Sequence, residues 1–429
     1  MRNSGYDVLV TGADQRQGLA LIRALGTGGE RVFAAGPHRR SIGFHSRYAA
    51  GRGCYPPPQD DKQAFAGRIL DLVREHRISV VFPSGESEVI ALDEFRDSFP
   101  PGVALAMAPR DSLTLALDKR RTYSLAEAVG VPCPRTCCPG SVPEATAFAR
   151  EVGFPVVLKR FAMPTYGRTD RGRSVKVAYA KDPPALEKAL EVCGTAGCLP
   201  LVQEYVSGDG VCQGTVCVSG EARGVYQYRR AREYPVTGGV TAVHVTEAVD
   251  PVPLAWTRRL LGEMRFEGLA QVEYRRSRKT GRYVLIEVNG RCWAPISGAL
   301  RAGLNYPLAH YRHLTGGEAV ELPPAYPVGR RTRYLRGDLS ALEQHLQGRT
   351  PDYLEPLPSR GRLLWDILKD FSPGTRGDVH DWGDPSPSLW EAASLGNRYG
   401  RRAAGALLRF AGVGRRRAAE PSVRPDAGA

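Results

Sequence analysis

Lysine is nearly missing from this basic chain: eight of its 59 cationic residues are lysine and the other 51 are arginine. A skew of that size follows from genomic base composition as readily as from a ligand, so the arginines identify no partner and each lysine becomes informative. Long apolar runs are lacking too. No stretch approaches the roughly 20 apolar residues of a membrane span, and Met1 leads through a polar start into a short apolar strand, so a secreted or spanning protein is not expected. Cysteines in matched spacing are also lacking. The nine are odd in number and scattered; only Cys133, Cys137 and Cys138 lie close together, and no second Cys/His pair occurs at zinc-finger spacing. That excludes a disulfide scaffold or zinc knuckle and implies free thiols in a reducing cytoplasm. No platform of aromatic residues accompanies the positive charge, which argues against DNA or RNA as a partner.

The residues that are present fit a multidomain globular protein. The 429 residues are 42% hydrophobic, which excludes disorder throughout and a fibrous protein, and at roughly 100–200 residues per domain the length implies two to four domains. The formal charge is +14. From Asn397 to Ala429 eight arginines stand against Glu420 and Asp426, so this tail carries +6 of it. Residues 412–429 read as a disordered basic tail, suited to weak contact with an acidic partner or a membrane surface.

The first hundred residues alternate apolar runs with helical patterns. Tyr6 to Thr11, Arg31 to Ala35 and Ile78 to Pro83 read as strands, and Gln15 to Leu25 and Asp61 to Glu75 as helices, which predicts a parallel sheet with helices on both faces. The loop from Thr11 to Gly18 lacks the second glycine of a dinucleotide fingerprint, so it reads as a tight turn or a weak phosphate cradle. Asp111 or Ser112 can cap a helix running through Asp118 and Lys119. Pro143 to Val152 reads as a helix, Phe154 to Lys159 as a strand, and Arg160 to Ser174 as a loop. Strand patterns come next at Val175 to Tyr179, Leu201 to Tyr205, Val211 to Val218 and Arg223 to Tyr228, then a helix at Leu254 to Met264. Beyond Glu318 the pattern weakens, with helices expected at Leu339 to Leu346 and Ser388 to Phe410.

The most informative segment is Gly268 to Arg291. Two strands, Leu269 to Tyr274 and Tyr283 to Asn289, flank a polar turn at Lys279-Thr280-Gly281, which reads as an antiparallel hairpin. With the turn centred on Thr280, Glu273 faces Glu287. Ala270, Val272, Tyr274, Val284, Ile286 and Val288 then point to the opposite, core face. Facing carboxylates repel, so a shared proton, a neighbouring Arg or a divalent cation must offset them. Asn289 lies on the acidic face and adds a neutral oxygen of the kind Mg²⁺ accepts, and Arg291 comes at the strand end, where a cation could stabilise charge on a phosphate or oxyanion. A solvated face whose acids pair with Arg275 or Arg276 is the structural alternative.

Glu-x-Asn-x-Arg closing a hairpin whose first strand carries another Glu resembles the metal and phosphate signature of the ATP-grasp superfamily. Asp118-Lys119, Lys159 in PVVLKR and the segment LVQEYVSG at Leu201 to Gly208 resemble its further motifs, in the same order. The resemblance extends over roughly residues 5–315 and implies α/β and α+β architecture: a preATP-grasp parallel-sheet domain (1–110), a two-lobed ATP-grasp domain (111–317, lobes 111–205 and 206–317), and a small C-terminal helical extension (318–411). It implies that Lys119 and Lys159 hold ATP phosphates, and that Glu204, Val206 and Asp209 hold the nucleoside. Glu273, Glu287 and Asn289 would bind Mg²⁺ or Mn²⁺, and Arg291 would stabilise the transferred phosphoryl group. Two departures stand out. The segment Met163 to Ser174, where the family has a glycine-rich lid, has only Gly167 and Gly172 among three arginines, and the residues after Arg291 differ from the family's usual turn.

Tyr228 to Val240 offers Arg229, Arg230 and Arg232 for an anionic substrate and Gly238 and Gly239 for close backbone approach; of these, Arg232, Gly238 and Gly239 are the substrate candidates, with an exposed basic strand as the alternative. His244 reads as a satisfied structural histidine. The resulting expectation is a cytoplasmic Mg-ATP-dependent carboxylate-amine ligase forming ADP. Bicarbonate-activating chemistry ranks below it, because no second set of these motifs and no biotin carrier is present. An NAD(P)-linked oxidoreductase on the N-terminal sheet and a non-catalytic ATP-binding scaffold are the readings of another class.

Overall fold

The structure is a computed structural model and describes residues 5–159, 177–194, 198–234, 239–348, 351, 353–354 and 357–410, the last nine by their backbone. The expected glycine-poor lid therefore lies outside the described residues.

The first unit runs β1 (Val8–Val10), α1 (Arg16–Thr27), β2 (Val32–Gly36), β3 (Ala49–Cys54), α2 (Lys62–His76), β4 (Val80–Phe82), α3 (Glu86–Glu94) and β5 (Ala104–Leu105). All pairings in its sheet are parallel, in the order β3-β2-β1-β4-β5. Strands β1, β2 and β4 are buried along their whole length, as helices on both faces require. Strand β3, α3 and β5 are additions to the sequence expectation. The sequence of β3, AAGRGC, has no apolar alternation, and its glycines lie under the rings of Phe33 and Tyr6. The turn after β1 is committed internally: the Gly12 N–H donates to Tyr55 Oη at 2.8 Å, and the buried Arg16 donates to Thr241 O at 2.9 Å.

The expected helix through Lys119 is two helices, α4 (Arg110–Leu117) and α5 (Lys119–Ala128). Asp118 forms the joint and caps α5 by accepting from the Arg120 N–H. At the start of α4 no side chain caps; Ser112 Oγ donates to Met264 O at 2.7 Å instead. Next come β6 (Thr136–Cys137), α6 (Val142–Val152), β7 (Val156–Lys159), β8 (Val177–Ala180), α7 (Pro183–Cys193) and β9 (Leu201–Glu204). They form an antiparallel sheet of order β6-β9-β7-β8. Ala145, Ala149, Leu186 and Leu190 of its two helices pack on Val156, Leu158 and Val202 as a small separate core.

The largest sheet takes in β10 (Gly208–Val218), β11 (Glu221–Tyr234), β12 (Val240–Glu247), then, after α8 (Pro251–Glu263), the hairpin β13 (Gly268–Ser277) and β14 (Tyr283–Asn289). After α9 (Ser297–Arg301) and α10 (Tyr306–Thr315) come β15 (Arg331–Arg333), α11 (Leu335–Leu346), α12 (Arg360–Lys369), β16 (Thr375–Gly377) and α13 (Ser386–Phe410). Its order is β14-β13-β10-β11-β12-β15-β16. The segment expected to be a helical extension thus also supplies two strands. It returns to the first unit through buried ion pairs: Arg16 with Asp378, and Arg23 Nε with Asp384 Oδ2 at 2.9 Å. Asp384 also accepts from Ser46 Oγ (2.7 Å) and the Arg47 N–H (2.9 Å).

Two outcomes are expected from this burial. Asp384 is 1% exposed, so Asp384→Ala leaves Arg23 buried without its partner and should lower unfolding free energy by about 3–5 kcal/mol in a denaturant titration. His244 and His310 are each 1% exposed. Burial lowers their pKa from 6.5 to about 4, against the opposing charge of Asp378, and to about 3, respectively. The unfolded chain binds these protons first, so their contribution is complete above pH 6.5 and is lost as pH falls towards 4, by roughly 3 kcal/mol for His244. The urea midpoint should drop between pH 7 and pH 5, and His310→Gln should flatten that slope.

Candidate active site

Between the small antiparallel sheet and the large one lies a cavity of about 280 Å³. Its floor is the β13–β14 hairpin, where Glu273 faces Glu287 and Gln271 faces Asn289. The pairing is not continuous. Between Glu273 and Tyr274 the register slips, so Tyr274 faces Leu285 and Ile286 is the extra residue of a bulge. Alternation therefore breaks: Tyr283, Leu285 and Val288 enter the core, while Val284 and Ile286, expected there, are only half-buried and Ile286 lines the cavity. The bulged Ile286 carbonyl accepts from Tyr123 Oη at 2.7 Å, and Tyr123 Oη accepts from Lys159 Nζ at 3.3 Å. The bulge thus locates a motif lysine that arrives from another sheet.

Cations balance the facing acids. Lys119 Nζ lies 3.2 Å from Glu287 Oε2, and Arg230 lies 2.5 Å from Glu273 Oε1. The Asn289 amide nitrogen donates to Glu273 Oε1 (3.1 Å) and Glu287 Oε1 (3.2 Å). The alternative pairing with Arg275 and Arg276 does not form: Arg275 lies near Glu233 and Arg276 near Glu247 and Asp209. Burial, helped by Glu287 and Glu233, pushes the Glu273 pKa up to about 7 against Arg230. Burial also acts on Glu287, but Lys119, Lys159, Arg230 and Arg291 outweigh it and hold that carboxyl well below its usual range. Glu287 therefore stays ionised. Conversely, Glu287 raises the Lys119 pKa against the effect of burial.

Arg291 donates to Asn289 Oδ1 at 3.0 Å and lies 3.5 Å from Glu86 Oε2 at the start of α3. It thereby ties the hairpin to the carboxyl edge of the first sheet, near the point where strand order reverses between β1 and β4. The residues after it are anchored by Trp293, which is 1% exposed. A side chain at Gly214 would overlap its ring, with a Cβ only 2.3 Å from it.

The oxygen set fits a hard divalent cation. Two facing carboxylates and one amide oxygen suit Mg²⁺, which keeps its other positions for water and phosphate. No group of three or more His, Cys, Asp or Glu residues gathers among the described residues, so the protein's share of such a site is these few oxygens. The Asn289 amide nitrogen bridges the two carboxylates where a cation would otherwise serve.

The remaining expected residues divide. Glu204 and Val206 line the cavity with Tyr205, Val157 and Tyr179; the Glu204 carboxylate accepts from the Arg135 N–H at 3.0 Å. Asp209 does not line it and faces Arg278 at 3.2 Å. Gly239 lines it, and its carbonyl accepts from Arg230 at 3.2 Å; Gly238 lies outside the described residues. Arg232 is corrected away from a substrate role. Simple alternation would put it on the same face as Arg230, but the register slips on either side of it, and its guanidinium is held by Asp338 and Asp370, each at 2.6 Å. Arg230 is the arginine of that strand that reaches the acids. Tyr123, Glu86 and Glu233 also belong to the site and escape sequence reasoning, because nothing local in the sequence marks them. His244 is structural, yet its Nε2 finds no partner among the described residues.

No family model matches the chain. The carbamoyl phosphate synthase large chain of Archaeoglobus fulgidus is 27% identical over 223 residues, covering 48% of this chain and 19% of the relative. The chain thus spans about a fifth of the length of that relative. Among solved structures, the biotin carboxylase domain of Hydrogenobacter thermophilus 2-oxoglutarate carboxylase, in complex with MgADP, ADP and bicarbonate, superposes with a TM-score of 0.59 at 16% identity, over 77% of this chain and 74% of that one. N5-carboxyaminoimidazole synthetase of Staphylococcus aureus does so with a TM-score of 0.57 at 12% identity, over 80% and 86%. At these identities the structures show the fold alone. With the sequence relatives and the motifs of the hairpin, they support membership of the ATP-grasp superfamily.

Proposed function

We propose that this protein is a cytoplasmic enzyme that uses Mg-ATP to activate a carboxylate as an acyl phosphate, which an amine then attacks to give an amide, ADP and phosphate. The observation that carries this reading is the facing pair Glu273 and Glu287, joined by Asn289 and ringed by Lys119, Lys159, Arg230 and Arg291. A cation-lined, partly dry floor beneath an apolar slot is suited to a nucleoside triphosphate and ill suited to a hydride carrier. The commitment of Gly12 and Arg16 to protein partners further disfavours a dinucleotide on the first sheet.

In this scheme Glu273, Glu287 and Asn289 would hold Mg²⁺, which when bound would neutralise phosphate charge. Lys119 and Lys159 exchange Glu287 and Tyr123 for phosphate oxygens, and Glu204, Val206 and the apolar walls hold the nucleoside. A substrate carboxylate oxygen attacks the γ-phosphorus as the bond to ADP breaks, with Arg291 facing the charge on the transferring group. The amine nitrogen then bonds to the carbonyl carbon, phosphate leaves, and the amine gives up a proton. Gly239 and Arg230 border the space left for the substrate.

Bicarbonate is the second reading for the activated group. The relative is named a carbamoyl phosphate synthase, and a structural neighbour was solved with bicarbonate.

Glu287→Gln should reduce ADP formation on the order of 100-fold or more at saturating substrate; unchanged turnover and Mg-ATP affinity would remove the metal assignment. Thermal-shift measurements should show stabilisation by Mg-ATP and none by NAD(P). An ADP-release assay comparing bicarbonate plus ammonia with carboxylate and amine mixtures separates the two readings: release confined to the former selects bicarbonate.

A further inference from the structure

A second cavity, of about 510 Å³, lies where the C-terminal strands join the large sheet. It is independent of the nucleotide cleft and of the function proposed for it. Thr241 of β12 borders the cleft and Thr246 of the same strand borders the second cavity, so the two lie roughly 17 Å apart along the strand. Pockets of this size take ligands of drug or cofactor dimensions.

Its lining is unusual in charge. Arg301 at the end of α9, Arg330 and Arg331 at β15, and Arg376 in β16 converge on it, with Asp381 as the acid among the lining residues. Asp381 uses Oδ1 to accept from the Gly383 N–H at 2.8 Å. Arg331 is neutralised by Asp370 at 2.8 Å, and Arg301 donates to His380 O at 2.6 Å while Asp378 and Asp381 offset its charge. Arg330 and Arg376 are exposed and have no side-chain ion pair among the described residues. Two guanidinium charges without an ion-pair partner among the described residues, Arg330 just before β15 and Arg376 in β16, therefore border one space.

Two further observations point to an occupant. Trp382 borders the cavity and is 79% exposed, its ring set edge to face on His380 at 4.6 Å between centroids. Behind Gly298, which also lines the cavity, two buried polar atoms lack partners among the described residues: His244 Nε2 and Tyr226 Oη. A Cβ at Gly298 would lie 2.3 Å and 2.8 Å from them.

We infer that this cavity binds a phosphate monoester carried on a flat aromatic or heteroaromatic ring. An arginine fork can hold two phosphate oxygens at once, and two unpaired guanidiniums suit a dianion better than a single carboxylate. Trp382 supplies the face for the ring, alongside Pro373 and Gly374.

The test is calorimetric titration of the full chain with 1-naphthyl phosphate and with pyrophosphate at low ionic strength. Saturable binding of both is expected. The double variant Arg330→Ala/Arg376→Ala should weaken both by at least about tenfold; both side chains are exposed, so the fold should persist, checked by an unchanged melting temperature. Trp382→Ala should weaken 1-naphthyl phosphate and leave pyrophosphate unchanged. Lys119→Ala/Lys159→Ala should leave in place the binding component that the arginine pair removes, because any pyrophosphate held in the nucleotide cleft is a separate component. Absence of saturable binding at millimolar probe, affinity indifferent to the arginine pair, 1-naphthyl phosphate affinity indifferent to Trp382, or loss in the lysine pair of the component that the arginine pair removes would each overturn the inference.

Discussion

Two carboxylates on neighbouring strands, Glu273 and Glu287, are held face to face inside a partly closed cleft, and much of the surrounding structure exists to make that tolerable. Like charges at such a separation destabilise a sheet, and burial sharpens the penalty. The compensation comes from four directions. Lys119 arrives from the first turn of α5, Arg230 from β11, the Asn289 amide from the same hairpin, and Lys159 from β7 through Tyr123. These elements come from several local units, so the hairpin is also the point at which the small antiparallel sheet and the large sheet approach each other. A polyanion with a divalent cation entering the cleft would take over the same charges, exchanging internal partners for phosphate oxygens and metal.

The C-terminal region supports this arrangement from behind. By adding β15 and β16 beyond β12, it continues the sheet whose opposite edge is the acidic hairpin. Asp378 reaches Arg16, which in turn donates to the Thr241 carbonyl at the rim of the cleft. Arg23, Arg232 and Arg333 make similar buried ties to Asp384 and Asp338. Such pairs add little over apolar packing when intact, but removing one member is costly, so they enforce one relative placement of segments more than they add stability.

Much of this is legible in the sequence where physics is local. Apolar runs and helical spacing locate most elements of the first two units, and symmetry about Thr280 places Glu273 opposite Glu287. The illegible parts have identifiable causes. A bulge at Ile286 shifts alternation by one residue, so simple periodicity assigns the wrong core face to β14 below Glu287. Register slips around Arg232 send it to Asp338 and Asp370, leaving Arg230 at the acids. Strand β3 lacks any apolar signal because its neighbours' aromatic rings cover its glycines. Tyr123, Glu86 and Glu233 contribute through contacts between distant segments, which no local pattern encodes.

The scarcity of lysine also takes on a physical meaning. Arginine, with a rigid planar fork, is the cation spent on permanent internal pairs: Arg16, Arg23, Arg232 and Arg333 all sit against buried aspartates. Lys119 and Lys159 occupy the cleft instead. There a compact charge on a flexible stem can leave one oxygen for another without breaking a bidentate geometry. In the cleft Lys119 rests on Glu287 and Lys159 on a tyrosine hydroxyl, each a single hydrogen bond among the described residues and easily exchanged. The division between fixed and exchangeable cations separates the parts of the molecule that hold its sheets in place from the cleft proposed to take a nucleotide.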